Sequence, residues 1–385
     1  MLRFISRSEL SMRHALPTLL ISLFPSLAFA QDEGAPETLA FGGETWRIEA
    51  QEARAETHKG REALMMKGGR LWLDDVIFTD GVIEFDAAYD EVQGFIGPMW
   101  RAESDSRFEE IYVRSHLNEK PDAVQYTPVE NGNSAWQIFS DKNAIAAVSQ
   151  TYDGWNHVKV VVKGDRADFY FNSDAPVLHV PDLKTDLKSG YAGLRVSGAV
   201  AVHFSNIVFR PLKEGEKIVG EAKETPALPG GLIEEWTVSS VFPEAEVSNA
   251  LTLSPTTGDD LDWDRLAVET NGVANISKIR ERLSGNDSTV FIRLSIASDR
   301  DQMKKLRFGY SDRVRVYLNG KRIYEGDAGW SVRDYRFLGT VGFFDSVGLD
   351  LKKGENELMV AVSETFGGWA FAGAMENQRG VTLTE

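Results

Sequence analysis

Short runs of β-branched and aromatic residues, broken by turn-forming residues, fill the chain from Trp46 to Phe209. The runs are RLWLDDVIF, GVIEFDAAY, QGFIGPMWR, FEEIYVRSH, WQIFS, WNHVKVVVKG, DRADFYF, GYAGLRVS and AVHFSNIVF. Gly, Asp, Asn and Pro lie in the breaks between them, as turns require. No segment shows a sustained helical period of apolar residues. This pattern predicts an all-β domain that folds as a sandwich or jelly roll.

A second β-rich region follows a stretch of different composition. Residues 211–231 (PLKEGEKIVGEAKETPALPGG) are rich in Lys, Glu, Pro and Gly and contain no aromatic residue, which is typical of an inter-domain linker. Strand-like runs then resume, and Asn319-Gly320 between RVRVYL and KRIYEG predicts a β-hairpin. We therefore predict two tandem β-sandwich domains, at 31–210 and 236–385, joined by a linker at 211–235.

The first thirty residues have the features of a secretory signal peptide. Three arginines precede the apolar run LPTLLISLFPSLAFA, which ends in an A-x-A pattern at Ala28 and Ala30. We expect cleavage before Gln31 and a mature chain that is secreted or periplasmic. The apolar run is shorter than the ~20 residues that a membrane span needs, so no membrane span is expected.

Composition limits the chemistry that the chain can perform. It has no cysteine, which excludes disulfides, thiolate metal sites and cysteine nucleophiles. Acidic residues number 58 and basic residues 42, for a net charge of −16. Such a surface repels nucleic acid, so no nucleic-acid partner is expected, and neutral sugars or small molecules fit better.

The strongest functional signal lies in the strand FEEIYVRSH and the residues that follow it. One face of this strand is apolar and suits a core, because side chains alternate along a strand. The other face carries four consecutive functional side chains, namely Glu110, Tyr112, Arg114 and His116. A solvated sheet face is the competing interpretation. The planar, amide and aromatic groups that follow favour a ligand-binding groove.

Two regions of the chain resemble known families. WNHVKVVVKGDRADFYFN followed by GYAGLRVSGAVAVHFSNIVFRP resembles the closing strands of the concanavalin A-like lectin/glucanase superfamily, the LamG-type jelly roll. DRVRVYLNGKRIYEG and LKKGENELMVAVSETFGGWAF are similar to the galactose-binding-like jelly roll. The first resemblance covers about 39–211 and the second about 236–385. Together they imply a secreted carbohydrate-active protein, with a sugar-binding groove on the concave sheet of the first domain.

Sugar binding requires aromatic rings that stack on pyranose faces and polar side chains that form oriented hydrogen bonds. The predicted substrate-binding residues are Trp100, Arg101, Tyr112, Arg114, Gln125, Tyr126, Trp136 and Gln137. If the protein is an enzyme, the predicted catalytic residues are Glu110, His116 and Asp122. A carboxylate supplies acid or base chemistry, and a histidine beside a carboxylate titrates near neutral pH.

The sequence leaves binding and catalysis both open. Glycosidases use two carboxyl groups that flank the scissile bond, and laminarinase-type members of the superfamily carry theirs as E-x-D-x-E or E-x-D-x-x-E. Glu84 and Asp86 supply the first two members, but Ala88 and Tyr89 occupy the position of the third. Three functions remain: a non-catalytic carbohydrate-binding protein, a glycoside hydrolase or lyase, and a LamG-like protein-adhesion module.

No cofactor is predicted, with one alternative. Four aspartates lie close together in residues 259–264 (DDLDWD), and the resemblance to galactose-binding-like domains implies that such a loop can hold a structural Ca²⁺. The other interpretation is a solvated acidic loop. The histidines form neither H-x-x-x-H nor H-E-x-x-H, so the sequence does not indicate a zinc site.

Overall fold

The computed structural model describes residues 37–284, 287–330, 332–333 and 340–384. The predicted signal peptide at 1–30 therefore lies outside the described residues. Regular structure in the described part consists of β-strands and two short 3₁₀ turns. The prediction of an all-β fold is confirmed.

Residues 37–210 are all described and form the first sandwich. Its strands are β1 (Thr38–Phe41), β2 (Glu44–His58), β3 (Arg61–Phe78), β4 (Gly81–Tyr89), β5 (Gly94–Ser104), β6 (Arg107–Arg114), β7 (Val124–Glu130), β8 (Asn133–Ser134), β9 (Ile145–Ala146), β10 (Asn156–Lys163), β11 (Arg166–Phe171), β12 (Leu178–Val180) and β13 (Gly190–Arg210). Their order is β12-β11-β10-β4-β13-β5-β6-β7-β8, and β3 pairs with both β13 and β2.

The long strand β13 belongs to both layers of this sandwich. Its first half pairs with β5 and its second half with β4, and the register of its pairing with β3 shifts between Val196 and Ala201. Gly198, at φ +88°, lies in this shift, and a Cβ there would come within 2.7 Å of the Gln93 carbonyl oxygen. The bend places β4 and β10 opposite β5, β6 and β7, and alternate side chains of both groups fill one hydrophobic core.

The second sandwich begins after residue 234. Its strands are β14 (Glu235–Ser239), β15 (Phe242–Pro243), β16 (Trp263–Ala267), β17 (Ala274–Asn275), β18 (Ser288–Ser298), β19 (Gln302–Ser311), β20 (Arg313–Leu318), β21 (Lys321–Asp327), β22 (Asp345–Leu351), β23 (Gly354–Glu364), β24 (Ala370–Ala374) and β25 (Val381–Thr384), with 3₁₀ turns at Glu244–Glu246 and Ile276–Lys278. One sheet has the order β16-β14-β18-β23-β20-β21, and the other has the order β17-β24-β19-β22. Asn319 and Gly320 turn β20 into β21 with positive φ at both residues, as the hairpin prediction requires. Two antiparallel sandwiches agree with the jelly-roll resemblance.

Residues 211–234 contain no strand and are mostly exposed. The backbone N–H groups of Val219 and Gly220 both donate to the Asp168 carboxylate, at 2.7 and 3.0 Å. Residues 37–385 form one compact unit, and the division at 211–235 stays a prediction. None of the described residues belongs to a helix with the length and apolarity that a bilayer crossing needs.

The two sandwiches meet along a buried surface, called the seam below, between residues 131–138 and residues 271–277, 311–312 and 365–372. The sheet β17-β24-β19-β22 turns Ala274 and Phe371 into its own core, whereas Ala370 and Ala372 pack against the core of the first sandwich. Hydrogen bonds join the two sides, including Asn271 Nδ2 to the Ile138 carbonyl at 2.9 Å.

Candidate functional site

The sheet that contains β5, β6 and β7 has one face in the core and one outer face, where polar side chains lie beside a small apolar cluster of Trp72, Met99, Phe108 and Val129. Ile111 and Val113 lie in the core with exposures of 0% and 2%, as the strand pattern predicts. What we call the polar face is a set of eight residues at other alternate positions of β3, β5, β6, β7 and the first half of β13: Arg70, Phe95, Glu110, Tyr112, Arg114, Gln125, Thr127 and Arg195. Phe95, Arg70 and Arg195 are partly exposed, and the others are buried beneath them.

An ion pair between Glu110 and Arg195 crosses the polar face. The Arg195 Nη1 donates to both carboxylate oxygens of Glu110, at 2.8 and 2.6 Å. Thr127 Oγ1 and Ser134 Oγ add longer bonds to the same carboxylate, at 3.2 and 3.4 Å. The Glu110 charge raises the pKa of Arg195 further. Strand β5 lies between the two partners, and Gly97, which is opposite Arg195, has no side chain to obstruct the guanidinium.

A second network on this face joins Arg114, Tyr112 and Gln125. Arg114 Nη2 donates to the Tyr112 hydroxyl at 3.2 Å and to the Gln125 Oε1. The Tyr112 hydroxyl donates to the same Oε1 at 3.1 Å, and Gln125 Nε2 donates to the Trp136 carbonyl at 2.7 Å. Burial raises the pKa of Tyr112 to about 12, so its hydroxyl stays a neutral donor at physiological pH. The structure thus brings three predicted binding residues together.

The three predicted catalytic residues do not converge. Glu110 and Arg114 are four residues apart on β6, which is about 13 Å of strand. Asp122 lies at the Arg114 end, where Arg114 Nη1 is 3.7 Å from its Oδ2. His116 also follows that end, and burial together with the Arg114 charge lowers its pKa. Glu110 and Asp122 thus lie toward opposite ends of β6, whereas the two carboxylates that flank a glycosidic bond lie roughly 5–9.5 Å apart.

Three other predicted residues have buried, structural positions. The Trp100 ring lies in the core. Arg101 has φ +52°, and its guanidinium turns away from the polar face to donate to the carbonyls of Thr79 (2.9 Å) and Gly164 (2.7 Å). Tyr126 also lies in the core and offers no ring face to a ligand.

Tyr126 has a buried carboxylate as its partner. Its hydroxyl donates to Glu109 Oε2 at 2.7 Å, and Thr185 donates to Glu109 Oε1 through both its hydroxyl (2.7 Å) and its backbone N–H (3.0 Å). Burial raises the pKa of Glu109, and these donors act against the rise. Glu109 therefore anchors the loop before β13 inside the sandwich.

The last two predicted binding residues lie at the seam. Gln137 is fully buried, where its Nε2 donates to Asp312 Oδ1 at 3.3 Å and its Oε1 accepts the Gly368 N–H at 2.6 Å. Trp136 is half-buried, and its ring centroid lies 6.3 Å from that of Phe366. Gln137 thus connects the two sandwiches, whereas Trp136 keeps part of its ring accessible.

The E-x-D motif lies on the sheet opposite the polar face. Asp86 accepts from His157 Nδ1 (2.8 Å), Arg61 Nη1 (2.7 Å) and Asn206 Nδ2 (2.7 Å). Glu84 Oε1 is 3.3 Å from His157 Nε2. This carboxylate pair is therefore occupied by protein groups and is separated from Glu110 by the thickness of the sandwich.

The acidic segment 259–264 of the second sandwich leads into β16, which contains Asp264. Asp264 accepts a hydrogen bond from Arg280 Nη2 at 2.6 Å. Within the part of the chain that the structure describes, no three acidic or histidine side chains are arranged to hold a metal ion.

Two charged side chains of the polar face were not predicted from the sequence. Arg70 and Arg195 are cross-strand neighbours on β3 and β13. Arg195 follows core residue Leu194 and precedes core residue Val196, so the local alternation already indicated an outward-facing cation. Its partnership with Glu110, 85 residues away, required the sheet order.

No protein-family model and no curated protein matches the chain, but solved structures are similar to part of it. The carbohydrate-binding module CBM66 from Bacillus subtilis aligns with 42% of this chain and 92% of its own, at 18% identity and a TM-score of 0.33. A Bacillus subtilis protein of unknown function with a galectin-like fold aligns with 42% and 87%, at 15% and 0.32. A β-glucanase from Bacillus licheniformis aligns with 44% and 79%, at 9% and 0.28. A shared fold does not define an activity, so the residues of the site must decide it.

Proposed function

We propose that this protein is exported and binds a carbohydrate on the polar face without cleaving it. The observation that carries the proposal is that Arg70, a cation on the polar face, has no close hydrogen-bond or ion-pair partner. Its buried Nε has no hydrogen-bond partner among the described residues, its side chain as a whole is 28% exposed, and the Asp105 carboxylate lies 4.0 Å from its Nη1. Arg195, with the same sign of charge, is its cross-strand neighbour. Like charges placed opposite each other destabilise a sheet, and ligand oxygens that accept from Arg70 would offset that cost.

The layer beneath Arg70 suits a ligand that carries many hydroxyl groups. Glu110, Tyr112 and Gln125 are held in fixed positions by the hydrogen bonds described above, so little side-chain entropy remains to be lost on binding. Phe95 adds a half-buried ring that packs edge-on against Tyr112, with centroids 5.4 Å apart. An aromatic face beside oriented donors and acceptors is the combination that saccharides require.

Binding without catalysis is favoured by the positions of the carboxylates. Strands β6 and β7, both fully described, carry three, at Glu109, Glu110 and Glu130. Glu109 lies in the core, and Glu130 accepts from Arg107 Nε at 2.8 Å. Glu110 remains on the polar face, and Arg195 holds it as an ion pair. Hydrolysis by the usual two-carboxylate route needs a second group across the sugar.

Export is part of the same proposal and rests on the sequence of residues 1–30. The arginines, the apolar run and the A-x-A pattern are those of a cleavable leader. Expression of the full chain in a bacterium should yield a mature protein in the periplasm or medium whose mass corresponds to a start at Gln31. Retention of the uncleaved chain in the cytoplasm would contradict export and leave the binding proposal standing.

Binding is tested with a glycan array and with the variant Arg70→Ala. Loss of a charge-assisted hydrogen bond of roughly 1.5–3 kcal/mol should weaken binding about tenfold to a hundredfold. Folding should survive the change, because Arg70 loses only its 4.0 Å pairing with Asp105 and the contact of its guanidinium with the Phe108 ring, 5.8 Å from the ring centroid. The matched control is Lys159→Ala, which removes a cation from β10 on the opposite sheet. Equal glycan affinity of the two variants would exclude the polar face as the site.

The enzyme alternative has a separate test. A reducing-sugar release assay on every glycan that binds should show no turnover above a heat-treated sample. Turnover that Glu110→Gln abolishes while binding persists would identify Glu110 as an acid or base and make the protein a glycosidase.

A further inference from the structure

Two arginines of the polar face, Arg70 and Arg195, lie directly opposite each other on β3 and β13. Their side chains are 28% and 27% exposed, so a ligand can reach both from solvent. Residues directly opposite each other in an antiparallel pair have Cβ atoms about 4.5–5.5 Å apart, which is less than the length of an arginine side chain. A single group of a ligand can therefore contact both guanidinium groups.

Each guanidinium has donors that no described residue uses. Arg195 makes both of its bonds to Glu110 through Nη1, which leaves Nη2 as a donor for a ligand. The Nε of Arg70 is covered, so its two Nη groups are the donors that a ligand can reach. The planar fork of a guanidinium matches the oxygens of a carboxylate or a similar oxyanion. Two such forks side by side therefore favour an anionic group in the ligand.

The carboxylates around Arg70 are engaged elsewhere or loosely placed. Glu49 is opposite Arg70 on β2, but its carboxylate accepts from Trp72 Nε1 at 2.8 Å and from an arginine of its own strand. Glu110 is held in the ion pair described above. Asp105 is 67% exposed and 4.0 Å away, and such an exposed pair adds little to stability. In a chain with 58 acidic and 42 basic residues, a cation without a close carboxylate is a local exception.

The position of Arg70 is unfavourable for a cation when no ligand is bound. Burial, together with the charge of Arg195, lowers the pKa of Arg70. Arginine stays protonated in proteins, so the lowered pKa expresses the free-energy cost of holding a cation there. A bound anion would offset that cost, because an opposite charge nearby favours the charged form. A neutral ligand would use the donors but leave the repulsion between the two arginines in place.

We infer that the saccharide bound on the polar face is acidic and places a carboxylate or sulfate group against Arg70 and Arg195. This inference rests on the proposed binding at the polar face and adds the charge of the ligand to it. A uronic acid supplies a carboxylate and a sulfated sugar supplies a sulfate, and both present oxyanion oxygens to the two guanidinium groups. The net charge of −16 opposes an acidic ligand at long range, but physiological salt screens charges beyond about 8 Å, whereas the contact with the arginines is direct.

The experiment titrates the protein by isothermal titration calorimetry with matched pairs of oligosaccharides. Oligomers of galacturonate, glucuronate and mannuronate are each compared with their methyl esters, which have the same backbone without the charge. A sulfated cello-oligosaccharide is compared with the unsulfated one, so that the two kinds of acidic group are distinguished. At least one acidic oligosaccharide should bind about fivefold to thirtyfold more tightly than its neutral counterpart, because charge-assisted hydrogen bonds are stronger than neutral ones.

The variant Arg70→Gln separates charge from hydrogen bonding. Its amide still donates a hydrogen bond but has no charge, so the variant should lose most of the preference for the acidic member of the pair. The matched control, Lys159→Gln, removes a cation from β10 on the opposite sheet and should keep the preference. Raising the salt concentration from about 0.05 M to about 0.5 M should weaken binding of the acidic oligosaccharide several-fold and leave its neutral counterpart unchanged.

Three results would overturn the inference. Equal affinities within every pair would mean that the ligand is neutral, and the proposed function would stand if Arg70→Ala still weakens that binding. A preference for the acidic form that Lys159→Gln removes as fully as Arg70→Gln does would place the anion away from the polar face. Binding of none of the acidic oligosaccharides would also refute an acidic ligand, and the glycan array then tests the proposed function separately.

Discussion

Breaking the ion pair between Glu110 and Arg195 should cost different amounts depending on which partner is removed. Arg195→Ala leaves a carboxylate that is 2% exposed with only the longer bonds from Thr127 (3.2 Å) and Ser134 (3.4 Å). Glu110→Gln instead leaves a guanidinium that is 27% exposed and can still contact water. Arg195→Ala should therefore lower the free energy of unfolding more than Glu110→Gln does, because it leaves a buried charge without a partner.

The magnitudes follow from burial. Removing one partner of a buried pair costs about 3–5 kcal/mol, and the partial exposure of Arg195 reduces this to about 2–3 kcal/mol for Arg195→Ala. Glu110→Gln keeps the shape of the side chain and should cost about 1 kcal/mol. In the double variant, the neutral amide at position 110 takes the place of the carboxylate that Arg195→Ala alone would leave without a partner. The double variant should therefore lower the free energy of unfolding by at least about 1 kcal/mol less than the sum of the two single effects.

Urea denaturation of the four proteins measures this cycle. With a slope near 3 kcal/mol/M, Arg195→Ala should lower the midpoint by about 1 M and Glu110→Gln by about a third of that. The slope should stay constant across the set, since a changed slope reports a changed unfolding reaction. Equal costs for the two single variants, or simple additivity in the double variant, would refute the view that the polar face is organised around a buried carboxylate.

Three further predictions concern the core, a buried carboxylate next to the seam, and the linker. Ile111→Ala should lower the free energy of unfolding by about 2–5 kcal/mol, because Ile111 is fully buried, while the folded fraction keeps its glycan affinity. A loss of affinity without a loss of stability would mean that the two faces of the strand are assigned the wrong way round. Burial beside Asp312 raises the pKa of Glu364 above its ordinary 4.5, so the folded state binds the proton more tightly. The free energy of unfolding should therefore fall as pH rises above about 4.5. Glu364→Gln should remove this pH dependence and raise Tm at pH 8 by about 2 °C or more. Identical Tm–pH profiles of the variant and the wild type would contradict the raised pKa of Glu364. Limited proteolysis should cut first within 211–231, and the two fragments should still co-elute on gel filtration because the seam is buried; early cuts inside either sandwich would contradict the division.

Part of the candidate site was predictable from the sequence because its cause is local. Side chains alternate along a strand, so Ile111 in the core and Glu110, Tyr112 and Arg114 on the other face followed from the order of residues. The grouping of Tyr112 and Arg114 with Gln125 followed from a short connection between neighbouring strands. Where a run is apolar on both faces, as in GFIGPMWR, alternation does not tell which side chains face the core, and only the structure shows that Trp100 packs there.

The sequence by itself determined an all-β fold, the Asn319-Gly320 hairpin and the faces of the strand around Glu110, because each depends on residues within a few positions of one another. Only the tertiary structure decided that Arg195 pairs with Glu110, since β13 lies beside β5 in the sheet although it comes much later in the chain. It also decided that Gln137 is a buried link to Asp312, 175 residues away, rather than a surface group. Contacts of that sequence separation depend on sheet order and on the packing of two cores, which no local pattern encodes.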